Sequence, residues 1–171
     1  MKHPFETLKF CPRCGSIKFG IHSPRSRHCE DCGLTYYANA SAAVAAIIRN
    51  EEGELLVIRR ALEPAKGTLD LPGGFCDPGE SAEEALLREV AEETGLQITA
   101  YQYLGSHPNI YQWQGIEIHT LDLFFECRAD AVNAHAADDA AECMWMKKES
   151  VDFSKFGMNS VSAFMKEYLN E

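Results

Sequence analysis

The chain has 171 residues, of which 46% are apolar, and its formal net charge is −10; these values exclude a disordered chain and allow one compact domain with a small accessory module. The acidic balance excludes broad binding to nucleic-acid backbones. No apolar run reaches the roughly 18–20 residues of a membrane span, and residues 1–10 lack the apolar core of a signal peptide, so we expect a soluble cytoplasmic protein without membrane partners.

Two C-x-x-C pairs lie near the N-terminus. Cys11 and Cys14 form the first pair, and after fourteen intervening residues Cys29 and Cys32 form the second. Four thiolates at this spacing are typical of a closed, tetrahedral Zn²⁺ site. A module this small cannot bury a sufficient core, so the metal would supply much of its folding free energy. We therefore expect a four-cysteine zinc ribbon over residues 1–37.

The charge is unevenly shared between this ribbon and the rest of the chain. Residues 1–37 contain six Lys or Arg against three Asp or Glu, whereas residues 38–171 contain ten against 23. The basic ribbon is consistent with nucleic-acid binding, and a folding nucleus or a dimer contact is the simpler alternative. The three other cysteines, Cys76, Cys127 and Cys143, are expected to be free buried thiols.

Strand and loop signals follow the ribbon. Apolar runs over 42–50 and 54–60, joined by a turn over 50–53, predict two strands connected by a hairpin. The prolines and glycines of residues 62–74 predict an irregular loop. Residues 72–74 offer bare backbone that a ligand can approach closely.

A helix is predicted after residue 80. Ser81 is a good N-cap, Glu84 completes a capping box, and Gly95 is the expected terminator. At about 100° per residue, one side of the helix is expected to be apolar and the opposite side acidic. The apolar side comprises Leu86, Leu87, Val90 and Ala91, and the acidic side comprises Glu89, Glu92 and Glu93.

The remaining signals define the fold class. They predict strands over 95–106 and 115–129 separated by 107–114, an acidic loop over 137–142, a strand over 143–147 and an amphipathic helix over 159–169. The order of elements predicts an α/β (α+β) fold in which a mixed sheet lies between two helices.

The stretch Gly74–Leu96, GFCDPGESAEEALLREVAEETGL, resembles the Nudix box GX5EX7REUXEEXGU, with U apolar, at every fixed position. The preceding LDLPGG and the later strand at Trp145 are also similar to the Nudix fold. A four-cysteine ribbon in front of such a domain resembles the zinc-ribbon branch that includes NADH pyrophosphatase. The resemblance implies a zinc ribbon over 1–37, a Nudix hydrolase domain over 38–171 with an α/β/α sandwich, and a homodimer.

The resemblance also implies an activity. It is the metal-dependent hydrolysis of a nucleoside diphosphate linked to another moiety, such as NAD(H) or ADP-ribose, with release of a nucleoside monophosphate. Bound Mg²⁺ or Mn²⁺ would neutralise the diphosphate and activate a water. The residues implied are Glu89, Glu93, Glu92 and the Gly74 carbonyl as metal ligands, Asp139 or Glu142 as a further ligand or general base, and Glu80 with Arg88 as a structural pair.

The substrate is less well specified. The stretch GSHPNIYQWQG stands where the NADH pyrophosphatase branch has SQPWPFPxS. Tyr111 and Trp113 are candidates for stacking on a base or a nicotinamide ring, with core packing as the alternative. Arg60 is a further candidate for substrate binding. His107 and His119 are interpreted as structural.

Two classes of function are compatible with these features. The first is the hydrolase, which the intact box glutamates favour. The second is a nucleotide-sensing or nucleic-acid-binding regulatory protein on the same scaffold. The two combine if the ribbon presents a nucleotide-capped RNA end to the hydrolase site.

Overall fold

The computed structural model describes residues 4–170, and of residue 170 the backbone only. Within this range the chain forms three small sheets and two α-helices. In chain order the elements are β1 (Phe19–Ser23), β2 (Ser26–Cys29), β3 (Thr35–Tyr37), β4 (Ser41–Ile48), β5 (Leu55–Arg60), β6 (Leu69–Asp70), α1 (Ala82–Thr94), β7 (Ile98–Trp113), β8 (Ile116–Ala129), β9 (Ala140–Met146) and α2 (Asn159–Asn170).

The strands pair as three separate sheets. The first sheet is β1-β2-β3, the second is β4-β8-β7 and the third is β6-β5-β9. Strand β4 runs parallel to β8, whereas β7 and β8 are antiparallel. This mixed arrangement confirms the predicted fold class. No helix in the described part of the chain is long and apolar enough to cross a membrane.

Strand β4 lies at the centre of the fold. Val44, Ala46 and Ile48 pack in one core cluster with residues of α1, whereas Ala45 and Ile47 pack in a second cluster with residues of α2. Successive side chains of a strand point to opposite faces. A strand that is covered on both faces therefore needs an apolar residue at nearly every position, which explains the unbroken apolar run.

Helix α1 has the predicted ends. The Ser81 hydroxyl accepts from the Glu84 N–H, and the Glu84 carboxylate accepts from the Ser81 N–H at 2.8 Å. Gly95 terminates the helix with a φ of 72°. These contacts satisfy backbone groups that a helix end leaves without partners.

The predicted faces of α1 are wrong at two positions. Leu87 is 39% exposed, whereas Glu93 is only 3% exposed. Glu93 follows Leu86 by seven residues, which is close to two full turns, so its side chain emerges above Leu86 on the covered face. The acidic residues therefore border the apolar face instead of lying opposite to it.

The hairpin of β7 and β8 is longer than predicted. Residues 107–113, which were expected to separate two strands, belong to β7 and pair with β8. The turn consists of Gln114 and Gly115, whose φ angles are 48° and 81°. A two-residue turn with positive φ at both positions matches the twist of the flanking strands.

The cysteines outside the ribbon are free thiols with unequal burial. Cys127 is buried, as expected, whereas Cys76 and Cys143 are half-buried. Burial raises the pKa of all three thiols, that of Cys127 to about 12. The expectation of full burial is therefore wrong for two of the three.

Candidate active site

The loop in front of α1 is held against β4 by backbone hydrogen bonds. The Pro72 carbonyl accepts from the Ala46 N–H, and the Gly74 carbonyl accepts from the Val44 N–H, both at 2.8 Å. Gly73 has a φ of +148°, and a Cβ at this position would overlap the Val44 carbonyl. Glycine is therefore required where the loop passes β4, and the loop backbone is fixed beside α1.

The carboxylates of Glu89 and Glu93 face this loop. Glu93 Oε2 accepts from the Gly73 N–H at 2.9 Å. A Cβ on Gly74 would lie only 2.6 Å from Glu89 Oε1. Burial, with a contribution from neighbouring carboxylates, raises the pKa of Glu93 to about 8 and also raises that of Glu89. Oxygen donors crowded in this way suit a hard divalent cation, which would offset their repulsion.

Arg88 connects the loop to the helix. Its Nε and Nη2 donate to the two carboxylate oxygens of Glu80, both at 2.9 Å, and Nη2 also donates to the Phe75 carbonyl at 3.1 Å. Its Nη1 donates to Glu89 Oε1 at 2.9 Å and to Glu92 Oε2 at 3.1 Å. The guanidinium thereby orients Glu89 and leaves Glu92 on the exposed edge of the helix.

The acidic loop before β9 reaches the end of α1 that carries these glutamates. The Ala137 N–H donates to the Glu93 carbonyl at 3.0 Å. The charge of Asp139 contributes to the raised pKa of Glu93, and the charge of Asp138 contributes to that of Glu89. The structure therefore brings Asp138 and Asp139 to the same edge of the site as the box glutamates.

Glu142 is not brought to the box glutamates. It lies within β9, not in the acidic loop where it was expected, and its Oε2 accepts from Arg59 Nε at 3.0 Å. The next residue, Cys143, has its Sγ 3.9 Å from the Glu93 carbonyl. Because alternate side chains of a strand point to opposite faces, Glu142 points away from Glu93.

The four ribbon cysteines form a compact group. The ligand atoms of Cys11, Cys14, Cys29 and Cys32 all lie within 4.8 Å of one another. In the part of the chain that the structure describes, no other group of three or more Cys, His, Asp or Glu residues is this close. Two of the Sγ–Sγ distances are 3.6 Å. Tetrahedral thiolates 2.3 Å from Zn²⁺ would be about 3.8 Å apart, so the geometry fits this ion. The α1 glutamates form a looser group.

A cleft with a volume of about 70 Å³ adjoins the glycine loop. Arg60 lines it, but Arg60 Nη1 donates to Asp70 Oδ2 at 2.9 Å. Tyr111 also lines it, and its ring meets that of Phe75 edge-on at 5.2 Å. Trp113, stacked on Tyr111 at 6.4 Å, is 40% exposed. Arg60 and Tyr111 therefore reach the cleft, while Trp113 lies outside its lining.

Sequence reasoning missed the buried polar residues of this cleft. They are Asp70, Asn109, Thr120 and Asp122, all of which line it. Each aspartate stands between two leucines, once in LDLPGG and once in LDLFF. An acidic residue within an otherwise apolar strand segment was the signal that could have identified these aspartates, because some side chains of such a strand point toward the core.

The chain belongs to the NUDIX domain family, whose model matches residues 40–166. This confirms the predicted Nudix family, whose hydrolases require a divalent metal. NAD-capped RNA hydrolase NudC from Pseudomonas entomophila is 36% identical over 98 residues, 57% of this chain and 35% of the relative. NudC from Vibrio cholerae is 32% identical over 108 residues, 62% and 39% of the two chains. The chain thus spans well under half the length of these curated relatives.

The solved structures support the fold. A NUDIX hydrolase from Nitrosomonas europaea aligns with a TM-score of 0.72 at 21% identity, covering 96% of this chain and 92% of that chain. At this identity the likeness establishes the fold alone. Because the alignment covers nearly the full length of both chains, it includes the region of the four cysteines.

We expect the purified protein to contain one Zn²⁺ per chain, measured by inductively coupled plasma mass spectrometry. Cys29→Ser should lose this metal, since three remaining thiolates cannot close the tetrahedron. Cys76→Ser, which alters a half-buried thiol outside the ribbon, is the control and should retain it. Full zinc content in Cys29→Ser would contradict the assignment.

The Arg88–Glu80 pair predicts a pH dependence of stability. Hydrogen bonding to Arg88 lowers the pKa of Glu80 from 4.5 to about 2. The stability that this pair contributes is therefore complete above pH 4.5 and is lost as the pH falls toward 2. In urea titrations without added divalent metal, Glu80→Gln should show a weaker loss of unfolding free energy over this window than the wild type. Glu83→Gln should behave like the wild type, and an unchanged pH slope in Glu80→Gln would refute the pairing.

Proposed function

We propose that the chain hydrolyses the diphosphate bond of a dinucleotide such as NAD(H), ADP-ribose or a similar compound, and releases a nucleoside monophosphate. The observation that supports this most directly is the approach of Glu89 and Glu93 to the glycine loop within a complete Nudix box. The names of the curated relatives point to the same class of substrate. A zinc ribbon over 1–37, a hydrolase domain over 38–171, a homodimer and a cytoplasmic location stay predictions.

The proposed ligands of Mg²⁺ or Mn²⁺ are Glu89, Glu93 and the Gly74 carbonyl, with Glu92 at the exposed edge. The Gly74 carbonyl retains a lone pair beside the one that accepts from Val44. When bound, the cation supplies charge neutralisation at the diphosphate and a water of lowered pKa. We assign Zn²⁺ to the four cysteines, because soft thiolates suit zinc and hard oxygens suit magnesium.

The remaining residues position groups or move protons in this proposal. Arg88 holds the Glu89 carboxylate in place, and the Gly73 N–H does the same for Glu93. Asp139 is the first candidate for the general base, since its loop is anchored beside Glu93 and its charge acts on Glu93. Glu142 is the weaker candidate because it pairs with Arg59. Arg60, Tyr111 and Trp113 are proposed to contact the substrate.

A panel of dinucleotides, assayed with Mg²⁺ and with Mn²⁺, tests the activity by identification of the products. Glu93→Gln should lower turnover by at least about 10²-fold, because it removes a ligand of the catalytic metal. Glu83→Gln, an exposed glutamate in the first turn of the same helix, should keep wild-type turnover. Wild-type turnover in Glu93→Gln would exclude its role, and no cleavage of any compound in the panel would exclude the activity.

A longer substrate, in which RNA is attached to the dinucleotide, is the second candidate. A groove of about 440 Å³ lies between the ribbon and β8, lined among others by Phe5, Arg25 and Ile118. Ile118 and Thr120 share one face of β8, and Thr120 lines the cleft. The groove extends to His119 and so adjoins the cleft along β8, and we propose that a chain extending from the dinucleotide follows it past Arg25.

Arg25→Ala tests this second candidate. Its kcat/KM for a short RNA with a 5′ NAD group should fall severalfold at low salt, while its kcat/KM for free NAD should stay unchanged. Arg13→Ala, which removes an exposed arginine of the ribbon outside the groove lining, is the matched control. Equal kcat/KM for the RNA in wild type and Arg25→Ala would exclude the groove as its path.

A further inference from the structure

Two buried carboxylates line the cleft. Asp122 is 8% exposed and Asp70 is 7% exposed. Thr120 Oγ1 donates to Asp122 Oδ1 at 2.6 Å, and Ser160 Oγ donates to Asp122 Oδ2. Asp70 accepts from Arg60. This polar group lines the same cleft as Gly73 and Gly74 of the glycine loop.

In the part of the chain that the structure describes, only one of these two carboxylates forms an ion pair. Arg60 pairs with Asp70, and among residues 4–169 no Lys, Arg or His side chain forms an ion pair with Asp122. Burial raises the pKa of Asp70 to about 6, and the charge of Asp122 contributes to this shift. Ser160 lies in the first turn of α2, where the helix dipole stabilises a negative charge nearby. Asp122 therefore gives the cleft an unbalanced negative charge.

Strand β7, which pairs with β8 in the same sheet, offers an aromatic face and an amide beside this group, because Asn109 lies directly opposite Thr120. Tyr111 lines the cleft, held edge-on by Phe75. Asn109 also lines it and can pair with a carboxamide. A volume of about 70 Å³ holds roughly five waters, which is the space of a single six-membered ring and less than that of a purine with its ribose. An aromatic face beside a carboxylate favours a cationic ring over a neutral one.

We propose that this cleft selects the oxidised, positively charged nicotinamide ring, with Asp122 as the residue that determines the preference. The inference rests on the proposed function, since Gly74 lines the same cleft and a diphosphate at the glycine loop would place the attached ring toward Asp122. Asp122 attracts the ring charge, Tyr111 stacks on the ring face, and Asn109 binds the carboxamide. Reduced nicotinamide has no charge and gains nothing from Asp122.

The test compares NAD⁺, NADH and benzamide adenine dinucleotide, which is planar like NAD⁺ but has a neutral ring. We expect the wild-type kcat/KM for NAD⁺ to exceed that for each neutral compound by about tenfold. Asp122→Asn should reduce this ratio toward one, mainly by lowering the value for NAD⁺. Glu126→Gln removes an equal charge from the same strand, where Glu126 accepts from the Tyr168 hydroxyl, and should keep the wild-type ratio.

Two outcomes would overturn the inference. Equal wild-type kcat/KM for NAD⁺ and for the benzamide compound would show that the ring charge is not recognised, and this comparison needs no variant. An equal fall for all three substrates in Asp122→Asn would show that Asp122 only supports α2.

Calorimetry separates a failure of this inference from a failure of the proposed activity. Nicotinamide mononucleotide and its benzamide counterpart are titrated into the wild type. If no dinucleotide is cleaved but the nicotinamide compound binds about tenfold more tightly, the activity fails and the ring preference stands. If dinucleotides are cleaved but the two mononucleotides bind equally, the activity stands and the ring preference fails.

Discussion

The hydrogen bond from the Gly73 N–H to Glu93 joins helix α1 to the sheet, because Glu93 comes from α1 and the loop of Gly73 is bonded to β4. A carboxylate in this position loses most of its hydration, and one backbone donor does not fully replace it. The loop, the helix and the neighbouring acids are therefore arranged around a charge that is favourable only when a cation balances it. Burying this carboxylate lowers the stability of the fold, as expected if the proposed divalent metal binds here.

Arg88 complements this arrangement from the solvent side. Its planar guanidinium bonds Glu80 bidentately and still reaches Glu89 and the Phe75 carbonyl, which a lysine could not do. The loop is thus attached to β4 on one side and to α1 on the other. With both attachments the carboxylates keep their geometry before any ligand arrives, so little reorganisation is needed on binding.

Local signals predicted those parts of the molecule that depend on local physics. The capping box of α1 and the turn within each C-x-x-C pair follow from contacts within a few residues, and the apolar run of β4 indicates a buried strand whatever covers it. The burial of Glu93 and the outward position of Leu87 depend on which side of the helix meets the sheet, which tertiary packing decides. Glu142 was misplaced because β9 begins earlier than its apolar residues indicate. The location of the cleft acids could be predicted only by combining the alternation of side chains along β8 with the position of α2.

The parallel pairing of β4 with β8 has a consequence for how the protein is made. Ser41 lies opposite Thr120, and Ile48 opposite Cys127, so each contact joins residues nearly eighty positions apart. A ribosome delivers β4, the glycine loop and the whole of α1 before the partner strand exists. Until β8 emerges, one long edge of the central strand is open to other chains. Chaperone access during synthesis is therefore expected to matter more for this half of the protein than for the ribbon, whose strands are neighbours along the chain.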